Sequence, residues 1–173
     1  MLRRLGEPRD ENPLLIGGDK FAERFGHLFE HSPWVVERAA AHAPFVDAAS
    51  LHAAFMKEVA NATPEEQMSL IRAHPELGVK SVPLTQASDA EQKGAGLKAL
   101  TEQEFADFAA LNKSYQAKFG FPFIICVRMH SKTEIFTALR DRLRNAPEIE
   151  HAQALFEIGH IARLRLEDAL AAP

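Results

Sequence analysis

Three places in this 173-residue sequence hold side chains whose types and spacing could do chemistry: Arg165, the trio Ser88, Glu91 and Gln92, and His74. Arg165 is the most anomalous charge. On a wheel at about 100° per residue, Leu155, Ile158, Ile161, Ala162, Leu164, Leu166, Ala169 and Leu170 share one broad arc. Arg165 projects near the centre of that arc, whereas Arg163 falls on the polar side with His160 and Glu167. A guanidinium aimed into a core cannot shed its charge, so it needs an anion or several acceptors. Two readings stay open from the pattern alone: a structural ion pair, or a site that handles an anion.

Ser88, Glu91 and Gln92 lie at i, i+3 and i+4, so a helix would bring all three to one face. The plainer meaning of this spacing is a capping box in which Glu91 partners Ser88. The other is a helix start whose free N–H groups meet a polar ligand. Pro75 pushes His74 out of helical geometry, onto a stiffened loop just past a helix end. A loop histidine is usually solvated. An imidazole nevertheless titrates near neutral pH and can both give and take a proton, which suits acid–base work.

Other constellations are weaker. His27 and His31 are four apart with Glu30 nearby, but no HExxH occurs. Glu148-x-x-His151 and Glu157-x-x-His160 imitate a di-iron motif that requires its two copies on different helices. Here they fall nine residues apart on one helix, about 180° out of phase, so no metal site is expected. Gly94-Ala95-Gly96 is expected inside a helix, with no GxxxxGK following, and Gly17-Gly18 is a plain loop. Cys126, the single cysteine, sits in an apolar run and reads as a buried, inert thiol.

The elements that must position these residues are helices. Alanine occurs 28 times, against seven valines, eight isoleucines and five threonines, which biases the chain toward helix. Ser32-Pro33 reads as an N-cap followed by proline at the first helical position, and Thr63-Pro64-Glu65-Glu66 adds a capping box. Ser88–Glu91, Thr101–Glu104 and Ser131–Glu134 read as further boxes. Stops are expected before Pro75, at Gly120 and at Asn145. These signals predict helices over 19–30, 33–42, 47–61, 64–73, 89–99, 102–119, 132–144 and 148–170, with a loop over 74–87. Residues 120–128 are an apolar run of strand length, but one strand makes no sheet, so a buried extended segment is expected there. The expected architecture is all-α: a single compact domain of about eight helices over 19–173, preceded by an irregular segment over 1–18.

Composition bounds the partners. Apolar residues are 46% and charged residues 25%, values of a globular chain and not of a disordered one. A net charge of −4 lacks the basic footprint of a nucleic-acid binder. No run approaches 18 apolar residues, so no membrane span is expected. One cysteine fits a reducing compartment, and the Met1–Leu5 stretch has no secretory apolar core, so a cytoplasmic location is expected.

Five segments together carry a resemblance. They are Phe29-Glu30-His31-Ser32-Pro33-Trp34, His74-Pro75-Glu76-Leu77, Ser88-x-x-Glu91-Gln92-x-x-Ala95-Gly96-Leu97, Leu111-Asn112-x-x-Tyr115-x-x-x-Phe119-Gly120-Phe121-Pro122-Phe123, and Leu164-Arg165-Leu166. From about residue 21 to 170 the chain resembles the 2-oxo-4-hydroxy-4-carboxy-5-ureidoimidazoline (OHCU) decarboxylases of uric acid degradation.

The resemblance implies an all-helical, cofactor-free carboxy-lyase that acts on a small ureidoimidazoline and yields (S)-allantoin. It implies His74, Glu91 and Arg165 as catalytic residues. Pro75, Ser88, Glu91, Gln92, Arg165 and the backbone of Phe123, Ile124, Ile125, Cys126 and Val127 are implied to bind substrate. His74 would contact the substrate's hydroxyl and carboxylate and protonate C5 after CO2 leaves. Glu91 would accept N–H bonds and orient His74. Gln92 would supply both a donor and an acceptor, and Arg165 would stabilise an anionic oxygen. Backbone N–H groups of 123–127 would hold a further carbonyl. A homodimer is compatible with the alanine-rich helix faces. The competing readings are a helical protein-interaction module without catalysis and a metal-dependent helical hydrolase.

Overall fold

The structure, a computed structural model, describes residues 12–79 and 83–172. Local chemistry sets most of its boundaries. Asp47 caps α3 (Ala48–Asn61): its carboxylate accepts the Ser50 N–H at 2.7 Å, and the Ser50 side chain returns a bond to the Asp47 backbone. Thr63 and Glu66 form the same reciprocal box on α4 (Pro64–Arg72), as do Ser131 and Glu134 on α7 (Lys132–Arg142). Each such cap contributes about 1 kcal/mol. Thr101 accepts the Glu104 N–H at the start of α6 (Glu102–Phe119), and Gly120 ends that helix in the left-handed region at φ 76°.

The remaining helices are α1 (Asp19–Phe25), α2 (Trp34–Ala40), α5 (Gln86–Gly94) and α8 (Pro147–Ala171). Eight helices and no strand occur among the described residues.

Several expected boundaries move. The first helix stops at Phe25, and a 3-10 turn covers Gly26–Leu28. His31 then takes φ 44°, so His27 and His31 share no helix face. The cap position of α2 is Pro33 and not Ser32, whose hydroxyl donates instead to the Glu30 carbonyl. The loop expected to reach 87 ends at Thr85, because Thr85 caps α5 by accepting the Ser88 N–H. That helix also ends sooner than expected. Gly96 has φ 78°, so Gly94-Ala95-Gly96 marks a helix end and does not lie within a helix. Of the segment expected to be irregular, residues 1–11 lie outside the described residues, while Pro13–Leu15 form one 3-10 turn.

Helix α8 runs through the middle of the packing, against α1, α3, α4 and α6. On one side Phe21 meets Phe25, Phe45 and Phe55, and Phe29 meets Phe55 edge-on. On the other, Tyr115 packs on Phe119, Phe121 and Phe123. Burying one such ring stabilises by roughly 1.5–3 kcal/mol. Residues 121–127 are all buried; they carry no helix until the 3-10 turn Val127–Met129. Among the described residues no helix is long and apolar enough to cross a membrane.

Candidate active site

Starting α5 one turn early changes what its residues can do. With Thr85 at the cap, Ser88 lies inside the first turn and Glu91 in the next, so Glu91 is not the partner of a capping box. Ser88 and Gln92 turn inward and are buried, and Glu91 meets Arg165. The pair is bidentate: Arg165 Nε donates to Glu91 Oε1 at 2.8 Å, and Nη2 donates to Oε2 at 2.9 Å. The arginine that the wheel aimed into the core is 4% exposed.

A second carboxylate shares the same cation. Arg165 Nη2 donates to Glu30 Oε1 at 2.9 Å and to Ser88 Oγ at 3.2 Å, and Nη1 reaches the Leu28 carbonyl at 3.4 Å. Glu30 Oε1 also accepts from the hydroxyls of Thr85, at 2.8 Å, and Ser88. Burial pushes the Glu30 carboxyl up, but the Ser88 bond, the Arg165 charge and the Thr85 bond outweigh it and hold the pKa below the ordinary range. Arg165 is likewise held above its ordinary value. Burial opposes its charge, and the bond and charge of Glu91, then the charge of Glu30, more than offset that.

His74 follows α4 and is buried, not solvated. Its Nδ1 bonds the Leu70 carbonyl at 2.9 Å. A carbonyl only accepts, so Nδ1 carries the hydrogen and Nε2 is the bare acceptor. Burial pushes the His74 pKa down to about 4, against the upward pull of the Leu70 bond and the Glu30 charge. The expectation that Glu91 orients this ring is corrected: Leu70 holds it, while Glu91 is committed to Arg165.

The loop after His74 is fastened at two points. Asn112 Nδ2 donates to the Leu77 carbonyl at 2.9 Å, and Gly78 N–H donates to Gln92 Oε1 at 3.0 Å. Gly78 has φ 72°, and a Cβ there would meet Phe108 Cδ1 at 2.9 Å, so only glycine fits. The Gly78 bond also fixes the Gln92 amide. Its oxygen is spent, and among the described residues its buried Nε2 has no partner. Gln92 therefore offers a donor alone, not the donor and acceptor expected.

His74, Pro75, Ser88, Glu91, Gln92, Phe123, Ile124, Ile125, Cys126, Val127 and Arg165 line one cavity of about 420 Å³, counting its open mouth. Leu77, Ile161 and Arg128, which sequence reasoning did not single out, complete the lining. Arg128 is paired with Asp168 at 2.7 Å. The segment 123–127 supplies an apolar wall, but its backbone is partly committed. Cys126 N–H donates to Glu157 Oε2 at 2.9 Å, so this N–H is not available to a ligand as expected. Burial, with the charges of Glu157 and Glu91, pushes the Cys126 thiol up, which keeps it protonated.

Glu30 and Glu157 are the main residues that sequence reasoning passed over. One signal pointed to Glu30: a cation aimed into a core requires anions, and Glu30 lies in a segment that also carries the resemblance. Glu157 left no such signal.

Comparison with known proteins is concordant. A family model described as OHCU decarboxylase matches residues 16–167. The 2-oxo-4-hydroxy-4-carboxy-5-ureidoimidazoline decarboxylase of Haloferax volcanii is 39% identical over 153 residues, covering 88% of this chain and 90% of that protein. The uric acid degradation bifunctional protein PucL of Bacillus subtilis is 43% identical over 86% of this chain, which spans 30% of PucL. Among solved structures, an (S)-allantoin synthase aligns with a TM-score of 0.74 at 28% identity, over 91% of this chain. The chain spans 52% of that synthase, about half its length. An OHCU decarboxylase crystallised in the presence of (S)-allantoin shares the fold, with a TM-score of 0.69 at 22% identity over 90% of this chain and all of that one.

Proposed function

The chain belongs to the OHCU decarboxylase family, and we propose that it removes CO2 from 2-oxo-4-hydroxy-4-carboxy-5-ureidoimidazoline to give (S)-allantoin in uric acid degradation. The observation that carries this reading is one cavity lined by a neutral imidazole, a carboxylate–guanidinium pair and an unpartnered amide donor.

The substrate's carboxylate sits on the carbon that also bears a hydroxyl. When their C–C bond breaks, CO2 leaves and the electron pair forms a double bond to the adjacent ureido-bearing carbon, C5. The C=N pair at C5 moves onto the ring nitrogen. The substrate is its own electron sink, which is why we read the reaction as cofactor-independent. What remains is relocation of one proton, the hydroxyl becoming a carbonyl as C5 gains hydrogen on one face, and uptake of one further proton from solvent by the ring nitrogen that received the electron pair.

His74 is suited to both transfers. Its Nε2 is an open acceptor at neutral pH, takes the hydroxyl proton and returns it to C5. Glu91 accepts from substrate N–H groups while remaining paired with Arg165. Gln92 Nε2 donates to a ureide carbonyl. Arg165 opposes negative charge as it spreads through the ring. Pro75, Ser88 and the wall 123–127 hold the planar ring in place and exclude water.

Initial rates followed by ultraviolet absorbance on freshly generated substrate, with product chirality read by circular dichroism, test the assignment. Faster loss of substrate and (S)-enriched product are expected. Spontaneous-rate decay with racemic product overturns it. Full activity is expected to survive exhaustive chelation. We further place the enzyme in the cytoplasm, where its buried unpaired thiol stays reduced. We read it as a homodimer, for which Ile149 and Phe156, exposed and two turns apart on α8, offer an apolar face. Cell fractionation and light scattering test these two assignments.

A further inference from the structure

The inward face of α8 carries three buried charged side chains, at 150, 157 and 165. Arg165 enters the cavity; the two glutamates do not line it. Both act on the wall that faces the cavity across from α5. Glu157 Oε2 accepts the Cys126 N–H at 2.9 Å, and its other oxygen accepts from Gln153 Nε2 at 3.1 Å. Glu150, fully buried, grips Arg142 Nε through both oxygens, at 3.2 and 3.0 Å, and also accepts from Tyr115 Oη and Asn145 Nδ2. The guanidinium so held donates from Nη1 to the Ile124 carbonyl at 2.6 Å and lies 4.5 Å from the centre of the Phe123 ring. The wall is therefore fastened from behind at the carbonyl of residue 124 and the N–H of residue 126.

Two fastenings two residues apart have a geometric consequence. In extended backbone, the polar groups of successive residues point to opposite sides. Cys126 is extended, at φ −72° and ψ 90°. With 124 and 126 turned toward α7 and α8, the peptide groups of Ile125 between them turn toward the cavity. An apolar wall in this way presents a polar edge at a fixed height.

We propose that Glu157 is a positioning residue for the reaction: by holding the Cys126 N–H it sets the register of the wall, jointly with the Arg142–Glu150 clamp, so that the Ile125 backbone meets the substrate's planar ureide. The inference rests on the decarboxylase reading for its substrate and its kinetic readout; the anchor itself does not depend on it. Glu157 touches no reacting atom; its effect falls on binding. Glu157→Gln keeps a carbonyl at the same reach and preserves the anchor. Glu157→Met keeps the volume and removes the acceptor. Glu157→Asp keeps the chemistry and shortens the reach.

Steady-state kinetics and amide hydrogen exchange of the full chain separate the possibilities. Glu157→Met is expected to raise KM at least tenfold with less than a tenfold change in kcat, and Glu157→Gln to keep KM within about threefold of wild type. In the free protein, the Cys126 amide is expected to exchange at least tenfold faster in Glu157→Met, and near the wild-type rate in Glu157→Gln. Where Glu157→Met does not fold, Glu157→Asp takes its place, with an intermediate rise in KM expected. An unchanged KM in the folded Met or Asp variant overturns the proposal, as does a Gln variant as impaired as the Met variant. Unaltered Cys126 exchange overturns the anchor itself, whatever the substrate. A wild-type chain that leaves spontaneous decay unchanged overturns the decarboxylase reading and the binding role with it, while exchange still reads the anchor.

Discussion

The imidazole of His74 is tied to the Leu70 carbonyl, Nδ1 to O at 2.9 Å, across the last turn of the helix that delivers it. That bond selects one tautomer and leaves Nε2 as the ring's single acceptor. Burial then keeps the ring neutral well below the usual histidine range, with a pKa of about 4. The resting site thus contains a base that is ready at neutral pH.

A base of this kind predicts an unusual acid limb. The kcat/KM profile reports the free enzyme, so activity is expected to hold from neutrality down through pH 6 and to fall as pH approaches about 4. An acid limb centred near 6.5 would contradict the assignment. His74→Gln should lower kcat by about 10²–10⁴-fold, the usual contribution of a positioned proton-transfer group.

The same burial predicts a pH-dependent stability. The folded pKa of His74 lies below the unfolded one, so below pH 6.5 the unfolded chain takes up a proton that the folded chain refuses. Stability is present in full above 6.5 and is lost as pH falls toward about 4, by on the order of 3 kcal/mol. His27, also lowered by burial, adds in the same direction. Carboxylates held below their ordinary range contribute only at lower pH, whereas Glu76, raised by burial, acts in the opposite direction. The histidine is therefore read from the pH 7 to pH 5 drop in denaturant melts of wild type against His74→Gln. The drop should be clearly smaller in His74→Gln than in wild type.

Arg165 answers to two carboxylates, and the prediction is non-additive. Arg165→Met leaves Glu30 and Glu91 facing each other without a cation, and should destabilise by about 3–5 kcal/mol. Adding Glu30→Gln to Arg165→Met should recover part of that loss, although Glu30→Gln alone destabilises. Simple additivity in the double-mutant cycle would show that Glu30 and Arg165 are not coupled. Arg165→Lys should remain folded yet lose at least tenfold in kcat/KM, because a point charge cannot reproduce the fork on Glu91.

Much of this arrangement was legible in the sequence, for reasons that also explain what was not. Arg165 announced itself because a charge among evenly spaced apolar residues violates a helical period. Its Glu30 partner did not, because Glu30 sits between a 3-10 turn and a left-handed residue, where no period exists to violate. Ser88 and Glu91 matched a capping box, but Thr85 offered an equivalent hydroxyl one turn earlier. The earlier cap prevails because it turns Ser88 and Gln92 inward and gives Glu91 a cation, a tertiary gain invisible to local pattern. Nothing in the sequence singles out Glu150, and Glu157 stands out only in a Glu157-x-x-His160 imitation of a metal motif; the wall packed against them is what makes both interior.

Gln92 offers the sharpest separation of binding from folding. Its oxygen holds the Gly78 N–H at 3.0 Å, while its buried Nε2 meets no acceptor among the described residues. Gln92→Glu keeps an oxygen for Gly78 and replaces the donor with a second acceptor, which would face a substrate carbonyl repulsively. The new carboxyl is buried, so some stability is lost with it, but the loop stays fastened at Gly78, and KM rises tenfold or more, since a buried donor to a ligand carbonyl contributes about 1–3 kcal/mol. Gln92→Leu removes both functions and should lose stability as well, because Gly78 then carries an unpaired buried N–H in a loop that no other residue type fits. If Gln92→Glu bound and turned over substrate like wild type, the free amide would have no part in recognition, and the ureide would have to be held by the opposite wall alone.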